Sequence, residues 1–168
     1  MDGARAQLPK DQFVFAKRVV TRSPGQVGED YESATPEEFH QRQARGEFLV
    51  TWQAHGFDYG LKAQLGDEQR RGVHVVANCS RAAIERLAQA VDRLVVLEVW
   101  AEPAVLAQRL AHRGRESAKQ IQERLARAGQ PLPANVPVIR VNNNDTLAAG
   151  VNAFLAAINE TLARTSAS

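Results

Sequence analysis

The chain is 168 residues long, enough for one well-buried domain and too short for two comfortable ones. Hydrophobic residues at 44% and charged residues at 24% exclude disorder over most of that length, and no apolar run approaches the roughly 18 residues of a membrane helix. A formal net charge of +2, aromatics at 6% and no recognised nucleic-acid motif weigh against a polynucleotide binder, and the single cysteine, Cys79, excludes an internal disulfide or a CxxC zinc site.

Residues 1–12 hold no secretory h-region, which with the lone cysteine predicts a reducing, cytoplasmic setting. Residues 13–20 read as one strand, followed by a turn-rich stretch over 21–34 with Pro24, Gly25 and Gly28. Thr35-Pro-Glu-Glu38 is a capping box with proline at the first helical position, predicting a short helix to about Arg45. A strand over 48–52 follows. His55-Gly-Phe-Asp-Tyr-Gly60 then reads as a turn leading into another extended piece.

Further on, three β-branched runs predict buried strands: residues 73–77, 94–100 and 136–141. They are continuous, not alternating, which suggests parallel strands covered on both faces. Helical spacing separates them: 82–90 with Ile84, Leu87 and Ala88, 103–112 opened by Pro103, and 147–162 with Val151, Phe154, Leu155, Ile158 and Leu162. The alternation predicts an α/β fold, a parallel sheet with helices on both faces and right-handed crossovers. The core then spans 13–20 and 73–163, and residues 21–61 form a small inserted lobe.

Four segments carry chemistry. The basic residues comprise 17 arginines against 4 lysines, and arginine's planar fork suits phosphate and carboxylate, although GC-rich coding produces the same bias. Arg109 and Arg113 lie one helical turn apart, Gly114 ends that helix, and Ser117 with Gln120 opens another that presents Arg124. With Arg115, these make four guanidinium groups that could close over a polyphosphate; a solvated charged helix face fits the same spacing. Arg22 beside turn glycines, with Tyr31 and Tyr59, could hold a phosphorylated small molecule, or the tyrosines could simply pack. Asn78-Cys-Ser-Arg81 follows the C-terminal end of a strand, where open α/β sheets bind ligands. Asn142-Asn-Asn-Asp145 also follows a strand, with Asp145 a candidate helix cap.

In this order, Thr21-Arg22, Gly28-Glu-Asp-Tyr31, Tyr59-Gly60, the Arg109 to Ser117 segment, Arg124-Leu125 and Asn143-Asn-Asp145 resemble the guanylate-kinase branch of the P-loop nucleoside monophosphate kinases. The resemblance covers about residues 13–160. Within that branch, Trp52-Gln-Ala-His-Gly56, Asn78-Cys-Ser-Arg81 and Arg113-Gly-Arg-Glu116 are most similar to ribose 1,5-bisphosphate phosphokinases. It implies one kinase-like domain over 1–168 with a lid at 113–124, using ATP and Mg2+ to convert ribose 1,5-bisphosphate to 5-phospho-α-D-ribose 1-diphosphate in phosphonate breakdown. Carried onto this chain, it implies catalytic roles for Arg113 and Arg124 and donor binding by Arg109, Arg113, Arg115 and Asn143. Substrate binding falls to Arg22, Tyr31, Tyr59, Asn78, Ser80 and Arg81. No side chain is assigned to a metal, and neither nucleic acid nor membrane is an expected partner.

Departures sharpen the expectation. Val50 stands where guanylate kinases carry a guanine-reading glutamate, and an apolar side chain cannot pair with a purine edge, which disfavours GMP. Gly25 stands where their second phosphate-binding arginine is expected. Cys79 replaces a usual glycine, which would strain the turn if its φ were positive. No apolar strand followed by GxxxxGK precedes Phe13, and residues 1–12 resemble the end of the helix that follows such a loop, so the resemblance leads one to expect that strand and loop upstream of Met1. Without them, two strand edges are expected to lack a partner. Without that loop the 168 residues are expected to be inactive as a kinase; the alternatives are a guanylate-kinase-like module that binds without turnover and a kinase of another small phosphorylated substrate.

Overall fold

A computed structural model of the chain describes residues 1–23, 30–113 and 131–166. The described elements run α1 (Asp2–Arg5), β1 (Phe13–Phe15), β2 (Arg18–Val20), β3 (Tyr31–Ser33), α2 (Pro36–Ala44), β4 (Phe48–Ala54), β5 (Phe57–Lys62), α3 (Gln64–Arg70), β6 (His74–Val76), α4 (Arg81–Ala90), β7 (Val96–Trp100), α5 (Pro103–Arg113), β8 (Val138–Asn142) and α6 (Leu147–Ser166). They gather into two compact units, Gln7–Leu94 and Met1–Ala6 with Val95–Ser168. No described helix is long and apolar enough to cross a membrane.

In the unit Gln7–Leu94, β1 pairs in parallel with β6, Phe13 opposite His74. The single strand expected over 13–20 is two strands in two sheets. The Ala16 N–H still reaches the Val76 carbonyl at 2.8 Å; the chain then turns away and re-enters as β2, between β3 (parallel) and β5 (antiparallel). One strand cannot serve both ladders, and the apolar run alone does not show the break. The second sheet has the order β3-β2-β5-β4. Its hairpin turns at His55-Gly56, both with positive φ (54° and 77°), the backbone that matches the twist of a tight hairpin.

The capping box forms as predicted: Thr35 Oγ1 accepts from the Glu38 N–H at 3.1 Å and the Glu38 carboxylate accepts from the Thr35 N–H at 2.8 Å. The helix it starts, α2, buries Phe39, stacked on Phe48 at 4.6 Å. Gly60 is required by this packing, because a Cβ there would sit 2.7 Å from the Phe48 ring. Glu32 joins β3 to β5 and α2, lying 2.6 Å from both Lys62 Nζ and Arg42 Nη1. Val20, Val50, Trp52, Tyr59, Leu61, Leu65 and Leu87 form the core beneath the sheet. Helix α3, which no cap or long apolar period announces, is held by Leu65 in that core.

In the other unit, β7 pairs in parallel with β8 from Val96–Val138 to Trp100–Asn142. Helix α6 buries Ala157 and Ile158, and α1 lies against it with Ala4 buried and Gly3 close to Val151. The parallel strands thus fall into two pairs. Among the described residues β6 pairs only with β1 and β7 only with β8.

Candidate active site

The unit Gln7–Leu94 gathers Arg22, Tyr31 and Tyr59. Arg22 follows β2, and its backbone is clamped from three sides. Thr21 exchanges hydrogen bonds with the Asp58 backbone at 3.0 and 2.8 Å. Ser33 Oγ donates to the Arg22 carbonyl, and Tyr31 OH donates to the Ser23 carbonyl at 2.8 Å. So fixed, the guanidinium donates through Nη2 to Tyr59 OH at 3.0 Å and lies 4.8 Å from the Phe57 ring and 5.8 Å from the Tyr31 ring. Its Nε is buried with no hydrogen-bond partner among the described residues. A buried donor left in this state favours an acceptor brought by a ligand or water. Tyr31 therefore positions the loop through its hydroxyl and flanks the cation with its ring.

The turn after β6 belongs to the same unit. Cys79 packs against the cluster of Trp52 and Tyr59, and its burial pushes the thiol up from its ordinary value while the charge of Arg18 pulls it partly back. Its φ is not positive, so the strain expected from replacing glycine does not arise. Ser80 is the N-cap residue of α4, yet its hydroxyl makes no cap hydrogen bond and is buried without a partner among the described residues. The indole N–H of Trp52 is in the same state. Asn78 is exposed and Arg81, the first residue of α4, is half-buried. Val50 is 6% exposed within the core, so the position of the expected guanine reader is packed with apolar neighbours.

Arg18 is the residue the sequence reading missed. Its guanidinium carbon lies 5.0 Å from the centre of the Tyr59 ring, which is 4% exposed and stacked on Trp52 at 5.5 Å. The signal was present: a second arginine stands four residues before Arg22.

Arg109 and Asn143 meet in the other unit, on different terms. Arg109, on α5, donates to the carbonyls of Asn143, Asn144 and Asp145, the second of these at 3.0 Å. Asn144 Oδ1 accepts from the Glu102 N–H at 2.7 Å, which ties the same loop to the start of α5. The guanidinium is engaged in holding the loop after β8, and Asn143 lies with Oδ1 against Gly150. Arg113 ends α5, and its side chain lies outside the described residues, as do Arg115, Arg124 and Gly25.

Comparison with known proteins follows this geometry. No protein-family model matches the chain. A guanylate kinase from Anaplasma phagocytophilum shares the fold, with a TM-score of 0.67 over 98% of this chain and 81% of that one at 18% identity. The bifunctional ribose 1,5-bisphosphokinase-thymidine phosphorylase of Cupriavidus necator is 52% identical over 167 residues, which are 99% of this chain and 28% of that protein. The chain thus spans about a quarter of the bifunctional relatives it matches. Relatives of similar length are the ribose 1,5-bisphosphate phosphokinases of Agrobacterium fabrum, 40% identical over 88% of this chain and 81% of that one, and Brucella melitensis, 37% identical over 98% and 86%. With its P-loop kinase fold and an arginine–tyrosine cluster in the region matched, this chain belongs to the ribose 1,5-bisphosphate phosphokinase family.

Proposed function

We propose that the unit Gln7–Leu94 binds ribose 1,5-bisphosphate and that the chain serves its ATP-dependent conversion to 5-phospho-α-D-ribose 1-diphosphate, a step in phosphonate breakdown. The observation that carries this reading is Arg22: a backbone-clamped guanidinium bonded to Tyr59 OH, flanked by Tyr31 and Phe57, with Nε buried and lacking an acceptor among the described residues. Planar donors of this kind suit a phosphate. Val50, buried and apolar, supplies no base reader either. Ser80, Asn78 and Arg81, at the turn after β6, complete the polar wall for the sugar phosphate.

ATP supplies the transferred phosphoryl group. The backbone cradle and lysine that hold donor phosphates in P-loop kinases sit in a GxxxxGK segment, and these 168 residues contain none. Among the described residues no group of three His, Cys, Asp or Glu side chains is placed to hold Mg2+. The arginines Arg113, Arg115 and Arg124 are assigned to the donor and the transferring group, with charge neutralisation as their role. Binding is the direct test. Calorimetric titration of the 168-residue polypeptide with ribose 1,5-bisphosphate and with GMP should show clear preference for the sugar bisphosphate; comparable affinities would overturn the assignment.

A further inference from the structure

We propose that Arg18 holds the second, non-reacting phosphate of the sugar and so selects a sugar bisphosphate over a singly phosphorylated one. The inference rests on the substrate proposed above and deepens it. Arg18 opens β2 and Arg22 follows its end, and both guanidinium groups meet the same phenol, that of Tyr59. Arg18 stands 5.0 Å from the ring centre, and Arg22 Nη2 is 3.0 Å from its hydroxyl. Tyr59 is buried and backed by Trp52, so both guanidinium groups border a wall with little water around it. Two phosphates spaced along one small sugar suit two guanidinium groups that share one aromatic wall.

Cys79, in the turn that leads into α4, packs against the cluster that includes Tyr59, over whose ring Arg18 lies. The next residue of that turn, Ser80, carries a buried hydroxyl with no partner among the described residues. Val50, in the core cluster with Tyr59, offers no acceptor for a base. A guanidinium and a hydroxyl both donate to phosphate oxygens. The loop position where a second phosphate-binding arginine was expected is Gly25, and Arg18 supplies that charge from the strand instead. Arg22, matched to the family's acceptor-phosphate arginine, takes the 1-phosphate; Arg18 takes the 5-phosphate.

The test is calorimetry on the full 168-residue chain with ribose 1,5-bisphosphate and ribose 1-phosphate, for the parent, Arg18→Ala, Arg18→Met and Arg18→Lys. Arg18→Ala should lower affinity for the bisphosphate about 10- to 100-fold while ribose 1-phosphate changes by less than about 2-fold, the range for losing one charge-assisted contact. Arg18→Lys should recover part of the preference. Arg18→Met keeps the aliphatic stem against Tyr59, so a folding failure of the alanine variant leaves the comparison standing. An unchanged preference, or equal weakening toward both sugars as a packing role would give, overturns the role of Arg18 and leaves the substrate assignment intact. If the parent binds neither sugar phosphate, the substrate assignment falls and this inference falls with it.

Discussion

Arg22 and Arg109 are the same side chain put to opposite uses. In the unit Gln7–Leu94, the backbone around Arg22 is held by Thr21, Tyr31 and Ser33, leaving its guanidinium against aromatic rings with one donor buried and without a partner among the described residues. In the unit containing Val95–Ser168, the guanidinium of Arg109 itself does the holding, on three consecutive carbonyls after β8. An arginine's identity and spacing therefore say little about whether it awaits a ligand. What decides is whether other groups fix its backbone or it fixes theirs.

The sharpest way to break this contrast is to remove each cation. Arg22→Ala should weaken ribose 1,5-bisphosphate binding by about 100-fold or more, the scale of losing a hydrogen-bonded charge partner, with a nearly unchanged melting temperature. Arg109→Ala should do the reverse, destabilising its unit by about 2 kcal/mol as three carbonyls lose a charged donor, with sugar-phosphate affinity unaltered. A stable Arg109→Ala variant that instead loses binding of an ATP analogue would make Arg109 a donor contact and erase the contrast.

Ser80 extends it to a neutral group. If its hydroxyl serves the ligand, Ser80→Ala should cost about 3- to 10-fold in affinity and leave stability unchanged or slightly raised, since an unsatisfied buried hydroxyl is removed. A working cap would instead show a loss of about 1 kcal/mol in the melt.

The smallest effect is expected from the ion-pair network at the edge of the same sheet. Lys62 holds the Glu32 carboxyl below its ordinary range, partly opposed by burial and aided by Arg42. A carboxylate so lowered stabilises the fold above its unfolded pKa, about 4.3, and that contribution disappears as pH falls through the lowered folded value. Glu32→Gln should therefore lower stability near neutral pH and flatten its decline below about pH 4.3. Parallel acid-limb melts for parent and variant would contradict this role for Glu32.

The local physics was legible where it is local. The Thr35 capping box, the helices over Arg81–Ala90 and Pro103–Arg113, and the strands at Val96–Trp100 and Val138–Asn142 all follow from caps and apolar period within a few residues. The break between Phe13–Phe15 and Arg18–Val20 did not, because nothing in the run Phe13 to Val20 names the partner of either half. Helix Gln64–Arg70 was also silent, since its place depends on Leu65 reaching a core built by distant strands. At the candidate site, Arg22, Tyr31 and Tyr59 were legible as residue types, while Arg18 was passed over because it lies inside an apolar strand.

By itself the sequence determined the α/β class, the donor-rich chemistry of the Arg22 and Asn78–Arg81 segments, and the apolar character of Val50, because capping, periodicity and side-chain chemistry are properties of short windows. Only the tertiary structure decided which arginine keeps a buried donor without a partner among the described residues and which ties down a loop. That choice depends on carbonyls and rings brought together across 34 to 41 positions of chain, as in the reach of Arg109 to Asn143 and of Arg18 to Tyr59. A guanidinium takes whichever acceptors the fold delivers to it, and no local pattern specifies those acceptors.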